Sequence, residues 1–265
     1  MERSKASDTR GSDQLRLGLR AATAAGDIIR AAFGTTQTIK SKGINDIVTE
    51  TDKKAEDAIV KILQEESSYK ILTEESGDID GSSDGCWVID PLDGTGNFSR
   101  GFPLFSVSIA LVKNDALQIG VVFNPITNEL FWAEKGAGAY KNGEPIHVSG
   151  KSKTAILALD CGYAPEHGAA YAQATGILEQ DYLLRRIGGC ALEVCYVACG
   201  IFDGYVDYGD MLWDYAGGLC IVEEAGGKVT DWKGNPLKLD HEQHVLATNG
   251  TIHHSLIQKL SHLQE

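Results

Sequence analysis

A mixed α/β fold, with sheets layered against helices in one continuous domain, is predicted by three features of the sequence. Apolar residues recur with a helical period near the N-terminus and with a strand period through the middle of the chain. From Leu183 onward, short strand-like and helix-like stretches alternate. No repeat and no Pro/Ser-rich linker interrupts them. The domain is expected to span 14–265, with a soft subdivision near 150–154 and a polar, disordered tail over 1–13.

Taken in order, Leu15, Leu17, Leu19, Ile28, Ile29 and Phe33 among many alanines predict a long helix from Gln14 to Phe33, with Gly34 placed to cap its end. A loop through Lys40, Lys42 and Gly43 follows. Thr51 and Asp52 can then cap a second helix reaching about Ser67, with Ala55, Ile59, Ile62 and Leu63 on one face. Tyr69 to Thr73 and Cys86 to Ile89 are short apolar runs suited to buried strands. Phe105 to Leu111 and Gln118 to Phe123 alternate about an Asn114-Asp115 turn, and Asn128 to Ala133 continues the meander until the Gly136, Gly138 and Asn142-Gly143 turns close it. Beyond that, strands are expected at Leu183 to Ile187, Gly204 to Tyr208, Lys228 to Thr230 and His244 to Ala247. Helices are expected at Gly189 to Gly200, Asp214 to Ala225 and Ile252 to Leu263.

Composition excludes several roles. The formal charge is −13 and no Lys/Arg cluster stands out, so the basic footprint that a nucleic-acid backbone requires is missing. No apolar run approaches the ~20 residues that span a bilayer, and Met1 to Lys5 opens into polar residues, so no membrane role and a cytoplasmic location are expected. The six cysteines form no C-x-x-C pair. Cys195 and Cys199 share a helix face, but their apolar neighbours read as ordinary buried thiols. An acidic protein can still handle phosphate esters when divalent cations lend positive charge to a carboxylate pocket.

The acids are placed where such a pocket could form. In Trp87-Val88-Ile89-Asp90-Pro91-Leu92-Asp93-Gly94-Thr95-Gly96, a buried strand is expected to end at Asp90, and Pro91 to turn the chain. Asp93 presents a second carboxylate three residues on, with the Leu92 carbonyl between them, a hard-oxygen set suited to Mg²⁺. The N–H groups of Gly94-Thr95-Gly96 can hold a phosphate at the start of a helical turn. Taken alone, this reads first as a capped turn of common turn residues. Three other segments have a similar double reading: Thr73-Glu74-Glu75-Ser76 as solvated loop charges, Asn45-Asp46 as a helix-capping segment, and Trp213-Asp214 as an N-cap. His147, His167 and His241 read as surface or loop residues rather than catalysts.

The motifs T-E-E-S, D-P-L-D-G-T-G-N-F and W-D-Y-A-G-G, in this order and at these separations, resemble those of the inositol monophosphatase family, which shares a lithium-sensitive, Mg²⁺-dependent superfamily with fructose-1,6-bisphosphatase. The resemblance runs from about Leu15 to Leu263. It implies a layered αβαβα sandwich, a homodimer, two or three Mg²⁺ ions, and hydrolysis of a small phosphorylated polyol or sugar by direct attack of water. Inositol 1-phosphate is the first expectation for the substrate. By the same resemblance, Glu74, Asp90, the Leu92 carbonyl, Asp93 and Asp214 hold the metals, with Asp90 bridging two of them. Thr95 and Asp46, with Glu74, orient the attacking water, and Gly94 and Thr95 take the phosphate together with Leu92, Asp93 and Asp214. Gly188, Gly189, Cys190 and Asp207 touch the polyol, and Lys40 matches a lysine near the site. Gly96, Gly217 and Gly189-Cys190 depart from the family's commonest residues without removing a metal ligand. Two alternatives remain open. One is a fructose-1,6-bisphosphatase or dual-specificity sugar phosphatase, in which Arg185-Arg186 serve a second phosphate. The other is a non-catalytic regulatory binding protein on the same fold.

Overall fold

The computed structural model describes residues 11–43, 46–163, 167–239 and 243–264. Helix α1 (Asp13–Ala32) starts earlier than its apolar period suggests, because the Ser12 hydroxyl accepts the Leu15 N–H and caps it. Ser12 and Asp13, expected in a disordered tail, are thus the cap and first residue of a buried helix; residues 1–10 lie outside the described residues. Helix α2 (Glu50–Glu66) also opens early. Its cap is Thr49, whose hydroxyl accepts the Thr51 N–H while Asp52 reaches back to accept the Thr49 N–H at 2.9 Å. Between the two helices lies a hairpin of β1 (Ile39–Ser41) and β2 (Ile47–Thr49).

The middle of the chain builds one eight-stranded sheet from β3 (Tyr69–Thr73), β4 (Gly77–Ile79), β5 (Ser82–Asp93), β6 (Ser106–Lys113), β7 (Ala116–Asn124), β8 (Glu129–Glu134), β9 (Gly138–Lys141) and β10 (Glu144–Pro145), with a short α3 (Thr95–Ser99) after β5. The strand order is β10-β9-β8-β7-β6-β5-β3-β4, antiparallel except where β3 runs parallel to β5. The predicted subdivision near 150–154 falls in the connection to a second sheet. That sheet is made of β11 (Ile156–Cys161), β12 (Leu183–Arg185), β13 (Gly204–Tyr208), β14 (Lys228–Asp231) and β15 (Val245–Thr248), in the order β12-β11-β13-β15-β14. Helices α4 (His167–Leu178), α5 (Cys190–Ala198), α6 (Leu212–Glu224) and α7 (His253–Leu260) accompany it.

Three apolar clusters show the layering. Leu15, Ile29, Ile59 and Leu63 of α1 and α2 pack on Trp87, Ile89, Ile109 and Val121, one face of the large sheet. Val88, Ala110 and Val122 on its other face pack with α5 and α6, which meet Tyr205 and Ala247 of the second sheet. Leu157, Val206 and Leu246 on the far face of that sheet meet Leu178 of α4 and Leu256 of α7. The result is helix–sheet–helix–sheet–helix, the predicted sandwich. Because β5, β6 and β7 are covered on both faces, they read as nearly continuous apolar runs. The middle layer sits unusually close to the sheet. A Cβ at Gly120 would lie 2.2 Å from the Gly217 carbonyl oxygen, and one at Gly217 would lie 2.7 Å from Ser108 Oγ, so neither position has room for a side chain without a shift. No helix among the described residues is long and apolar enough to cross a membrane.

Candidate functional site

The acidic segments converge on one cleft of about 620 Å³. Its first wall is the end of β5, which does not stop at Asp90 as expected. The strand continues to Asp93 through an irregularity in its pairing with β6 between Asp90 and Asp93, and Pro91, which has no N–H to offer, falls inside that bulge. The bulge turns two carboxylates to the same side. The Leu92 N–H donates to Asp90 Oδ1 at 2.9 Å and fixes the first. The second, Asp93, is fixed by the start of α5: the N–H groups of Cys190 and Ala191 donate to its two oxygens at 3.0 and 3.1 Å, and the Ser106 hydroxyl adds a bond at 3.2 Å. Asp214 enters from the first turn of α6, where it accepts the Met211 N–H at 2.8 Å. Glu74 follows the last residue of β3, and Lys42 of the β1–β2 hairpin holds it at 2.7 Å and Glu75 at 2.8 Å.

These groups perturb one another. Burial pushes the Asp90 carboxyl well above the usual range, and the charges of Glu74, Asp93 and Asp214 push it further. Burial lifts Asp93 to about 7 against the hydrogen bonds that favour its ionised form. Burial, then Asp210, Glu74 and Asp93, raises Asp214, and burial foremost raises Glu75 to about 7. Burial disfavours the Lys42 ammonium, but Glu74 and Glu75 outweigh it and raise its pKa. Carboxylates this buried and this mutually repelling remain ionised together only beside added positive charge. With the Leu92 carbonyl they form an all-oxygen donor set, which fits a hard divalent cation such as Mg²⁺.

Beyond Asp93 the chain turns through Gly94. Its φ is +86°, and a Cβ at this position would approach the Gly188 carbonyl oxygen to 3.0 Å, so only glycine is admitted. Thr95 and Gly96 then open α3 and line the cleft with first-turn N–H groups, which have no intrahelical partner. Asn97 donates to the carbonyls of Leu104 and Ile187, both at 2.7 Å, and ties this turn to the Gly188 loop. The Thr95 hydroxyl lies 2.8 Å from Asp52 Oδ1 and 3.0 Å from the Leu92 carbonyl oxygen. Its carboxylate partner is therefore Asp52, not Asp46. Asp46 also lines the cleft, but it sits before β2, whereas the capping box aims Asp52 at Thr95. Burial raises the Asp52 pKa, against the hydrogen bonds from Thr49 and Thr95.

On the polyol side expectation and structure part further. Gly188 and Cys190 line the cleft. Gly189 does not; it is the residue before α5, and a Cβ there would crowd the Leu104 carbonyl oxygen at 3.2 Å. Asp207 is fully buried, with one oxygen accepting the Asp210 N–H at 3.2 Å and the other unpartnered, and does not line the cleft. Its place is taken by Asp210. Glu193 is buried as well and accepts the Ile187 N–H at 2.6 Å, holding the loop in shape. Lys42 and Lys53 line the cleft, whereas Lys40 is exposed on β1; of the two, Lys42 pairs with Glu74. Arg186 lines the cleft and Arg185 does not. His147 is exposed, but His167 is buried at the cleft wall, and His241 lies outside the described residues.

Asp160, Tyr163 and Asp210 were not singled out from the sequence, and Asp52 was read there only as a helix cap. Asp160 had a usable signal: it closes an apolar run, Ala155 to Leu159, as Asp90 closes Trp87 to Ile89. Asp160, Cys190 and Asp210 bring ligand atoms within 4.8 Å of one another. Burial, with the charges of Asp210 and Asp160, raises the Cys190 thiol far above its ordinary pKa. It is therefore a protonated donor, 3.1 Å from Asp210 Oδ2, and makes a poor metal ligand.

Comparison with known proteins identifies the family. The model of the inositol monophosphatase family matches residues 13–265. The chain is 40% identical over 259 residues to inositol monophosphatase 3 of Solanum lycopersicum, covering 93% of this chain and 96% of that one. It is 38% identical over 254 residues to Nus factor SuhB of Pasteurella multocida, covering 93% and 95%. Among solved structures, the Thermotoga maritima IMPase superposes with a TM-score of 0.86 at 33% identity, covering 96% of this chain and 98% of that one.

Proposed function

Since the chain belongs to the inositol monophosphatase family, we propose that it hydrolyses the phosphate monoester of a small polyol, inositol 1-phosphate first among them, with Mg²⁺ as its cofactor. The observation that carries this reading is the convergence of Asp90, the Leu92 carbonyl, Asp93, Asp214 and Glu74 beside the Gly94–Gly96 turn. Those five groups would hold the metal. When bound, Mg²⁺ supplies Lewis-acid charge that balances the phosphate oxygens and acidifies water.

The chain's own residues do the rest. The first-turn N–H groups of Thr95 and Gly96 receive the phosphate. The Thr95 hydroxyl, its proton directed to Asp52 or the Leu92 carbonyl, keeps lone pairs with which to accept a hydrogen bond from the attacking water and hold it in line. Asp93, gripped by Ser106 and the start of α5, keeps a fixed place because both its oxygens are held. Phosphoryl transfer depends on positioning and charge, so no Ser, Cys or His nucleophile is required. We also propose a homodimer, resting on the family resemblance, and a cytoplasmic location, resting on the absence of a membrane-spanning apolar helix among the described residues; light scattering on the purified protein tests the first and fractionation the second.

Phosphate release from a panel of inositol phosphates, sugar mono- and bisphosphates and 3′-phosphonucleotides, with Mg²⁺ and with EDTA, tests the activity. Mg²⁺-dependent release, greatest on inositol 1-phosphate, is expected. Asp93→Asn changes one oxygen's charge and keeps the shape, so turnover should fall by orders of magnitude with the fold intact. Near-normal turnover of that variant at saturating Mg²⁺ would sink the assignment.

A further inference from the structure

The wall of the cleft built by the second sheet has a chemistry that phosphate binding leaves unused. Asp160 is the penultimate residue of β11, Arg186 follows β12 and Asp210 lies just past β13, so the ends of three adjacent parallel strands bring them together beside Cys190. Arg186 lies 3.0 Å from Asp160 Oδ1, and its guanidinium rests 4.8 Å from the centre of the Tyr171 ring. Its side chain is 46% exposed, whereas that of Asp160 is 8% exposed. The pair thus presents a guanidinium edge to the cleft and a carboxylate behind it. Cys190 Sγ bridges onward, 3.5 Å from Asp160 Oδ2 and 3.1 Å from Asp210 Oδ2, and the Tyr205 hydroxyl donates to the same Asp210 oxygen at 3.3 Å.

The charge count on this wall decides what it accepts. Among the described residues of the second half that line the cleft, Arg186 is the one Lys or Arg, against three carboxylates, Asp160, Asp210 and Asp214, of which Asp160 pairs with it. A cleft of about 620 Å³ has room for a leaving group that carries its own phosphate. Such a group would meet a guanidinium already paired and a second carboxylate beside it. An uncharged polyol meets the reverse: carboxylate oxygens that accept its hydroxyl protons and guanidinium N–H groups that donate to its oxygens.

We propose that the Asp160–Arg186 ion pair, with Asp210 beside it, sets leaving-group specificity in this enzyme by accepting uncharged, hydroxyl-bearing leaving groups and rejecting those that carry a second phosphate. The inference rests on the reading of the cleft as a phosphomonoesterase site. Arg186 is held back from a second phosphate by Asp160 rather than being absent, so neutralising Asp160 should release it.

The test is kcat/KM for inositol 1-phosphate and for fructose 1,6-bisphosphate in the wild-type enzyme, Asp160→Asn, and Asp160→Asn combined with Arg186→Ala. The wild type should favour the monophosphate. Asp160→Asn should raise the bisphosphate-to-monophosphate ratio by about tenfold, the effect of removing one charge at close range, and the double variant should lose that gain. A purely structural role for Asp160 would lower both esters together and leave the ratio unmoved. A ratio within twofold of wild type, or a wild type that prefers the bisphosphate, overturns the proposal. Should Asp160→Asn fail to fold, Asp210→Asn carries the same expectation for the ratio. If the wild type cleaves neither ester, the activity reading has failed. The specificity proposal is then decided by calorimetric dissociation constants for the same two esters with Ca²⁺, where the same shift in ratio upholds it and an unmoved ratio overturns it.

Discussion

Replacing Asp52 by Asn isolates the contact that separates this structure from the expectation drawn on Asp46. Asp52 Oδ2 accepts the Thr49 N–H at 2.9 Å and also the Thr49 hydroxyl, while Oδ1 faces the Thr95 hydroxyl at 2.8 Å. An asparagine will keep its carbonyl oxygen toward the two Thr49 donors and turn its amide toward Thr95, because the opposite orientation would set the amide against both. The capping box therefore survives, but Thr95 now receives a proton where it used to give one. It must donate to the Leu92 carbonyl and give up a lone pair to the new amide, so it can no longer hold water as before. Losing a charge-assisted bond of this kind costs ~1.5–3 kcal/mol, or roughly 10- to 150-fold in rate. Steady-state kinetics on inositol 1-phosphate with saturating Mg²⁺ should show that loss in kcat with KM little changed, and thermal melting should show a folded protein. Asp46→Asn should lose far less. A kcat for Asp52→Asn within twofold of wild type, or a larger loss for Asp46→Asn, would refute the assignment of Thr95 to Asp52.

Two further expectations concern stability. Gly120→Ala would drive a Cβ to 2.2 Å from the Gly217 carbonyl oxygen and 2.9 Å from Cys220 Cβ, and overpacking of this kind costs ~1–3 kcal/mol; calorimetry should find a Tm several degrees lower, and an unchanged Tm would mean that α6 is free to move off the sheet. His253 is buried between Thr230 and Thr248, its ring nitrogens 2.9 Å from each hydroxyl, and burial, then Lys228, lowers its pKa to about 4. Because the unfolded chain binds the proton at a higher pH than the folded one, stability should be full above about pH 6.5 and should fall as pH drops towards 4; His253→Gln should flatten that part of the Tm–pH curve, and an identical curve would refute the role.

Which parts of this architecture were legible in the sequence follows from what each part depends on. Helices that bury one continuous face, such as α2, announce themselves by period, because their apolar residues recur on one side of the 3.6-residue turn. The D-P-L-D-G-T turn was legible because its chemistry is local: carboxylate, carbonyl and N–H groups lie within six residues. The end of β5 was misplaced because proline stops a regular strand but is accommodated in a bulge, and bulges depend on the partner strand. The stretch holding β11 and α4 gave no clear period, and its key residue, Asp160, gains meaning only from Arg186, 26 positions later. Asp46 and Asp52 were indistinguishable as helix-capping acids until the capping box fixed which of them faces Thr95. Asp207 and Asp210 were separable only by knowing that β13 buries Asp207 and that the chain then places Asp210 on the cleft wall.

The hairpin lysine offers a last test, because it holds Glu74, one of the carboxylates proposed to bind the metal. Lys42 Nζ sits 2.7 Å from Glu74 Oε1 and 2.8 Å from Glu75 Oε1, with its side chain only 24% exposed. An ammonium at that distance competes with a divalent cation for Glu74, and even when displaced it remains a positive charge near the metal's position. At a few ångströms and partial burial, one unit charge is worth on the order of 1 kcal/mol or more against another. Lys42→Met keeps the aliphatic stem and removes the charge, so the Mg²⁺ concentration for half-maximal activity should fall by several-fold. If Lys42 instead acted mainly by attracting the phosphate, the same variant would raise KM for the ester and leave the Mg²⁺ curve in place. A higher Mg²⁺ requirement would refute both readings, and would mean that Lys42 helps to pre-form the carboxylate set by holding Glu74 in the orientation the cation needs.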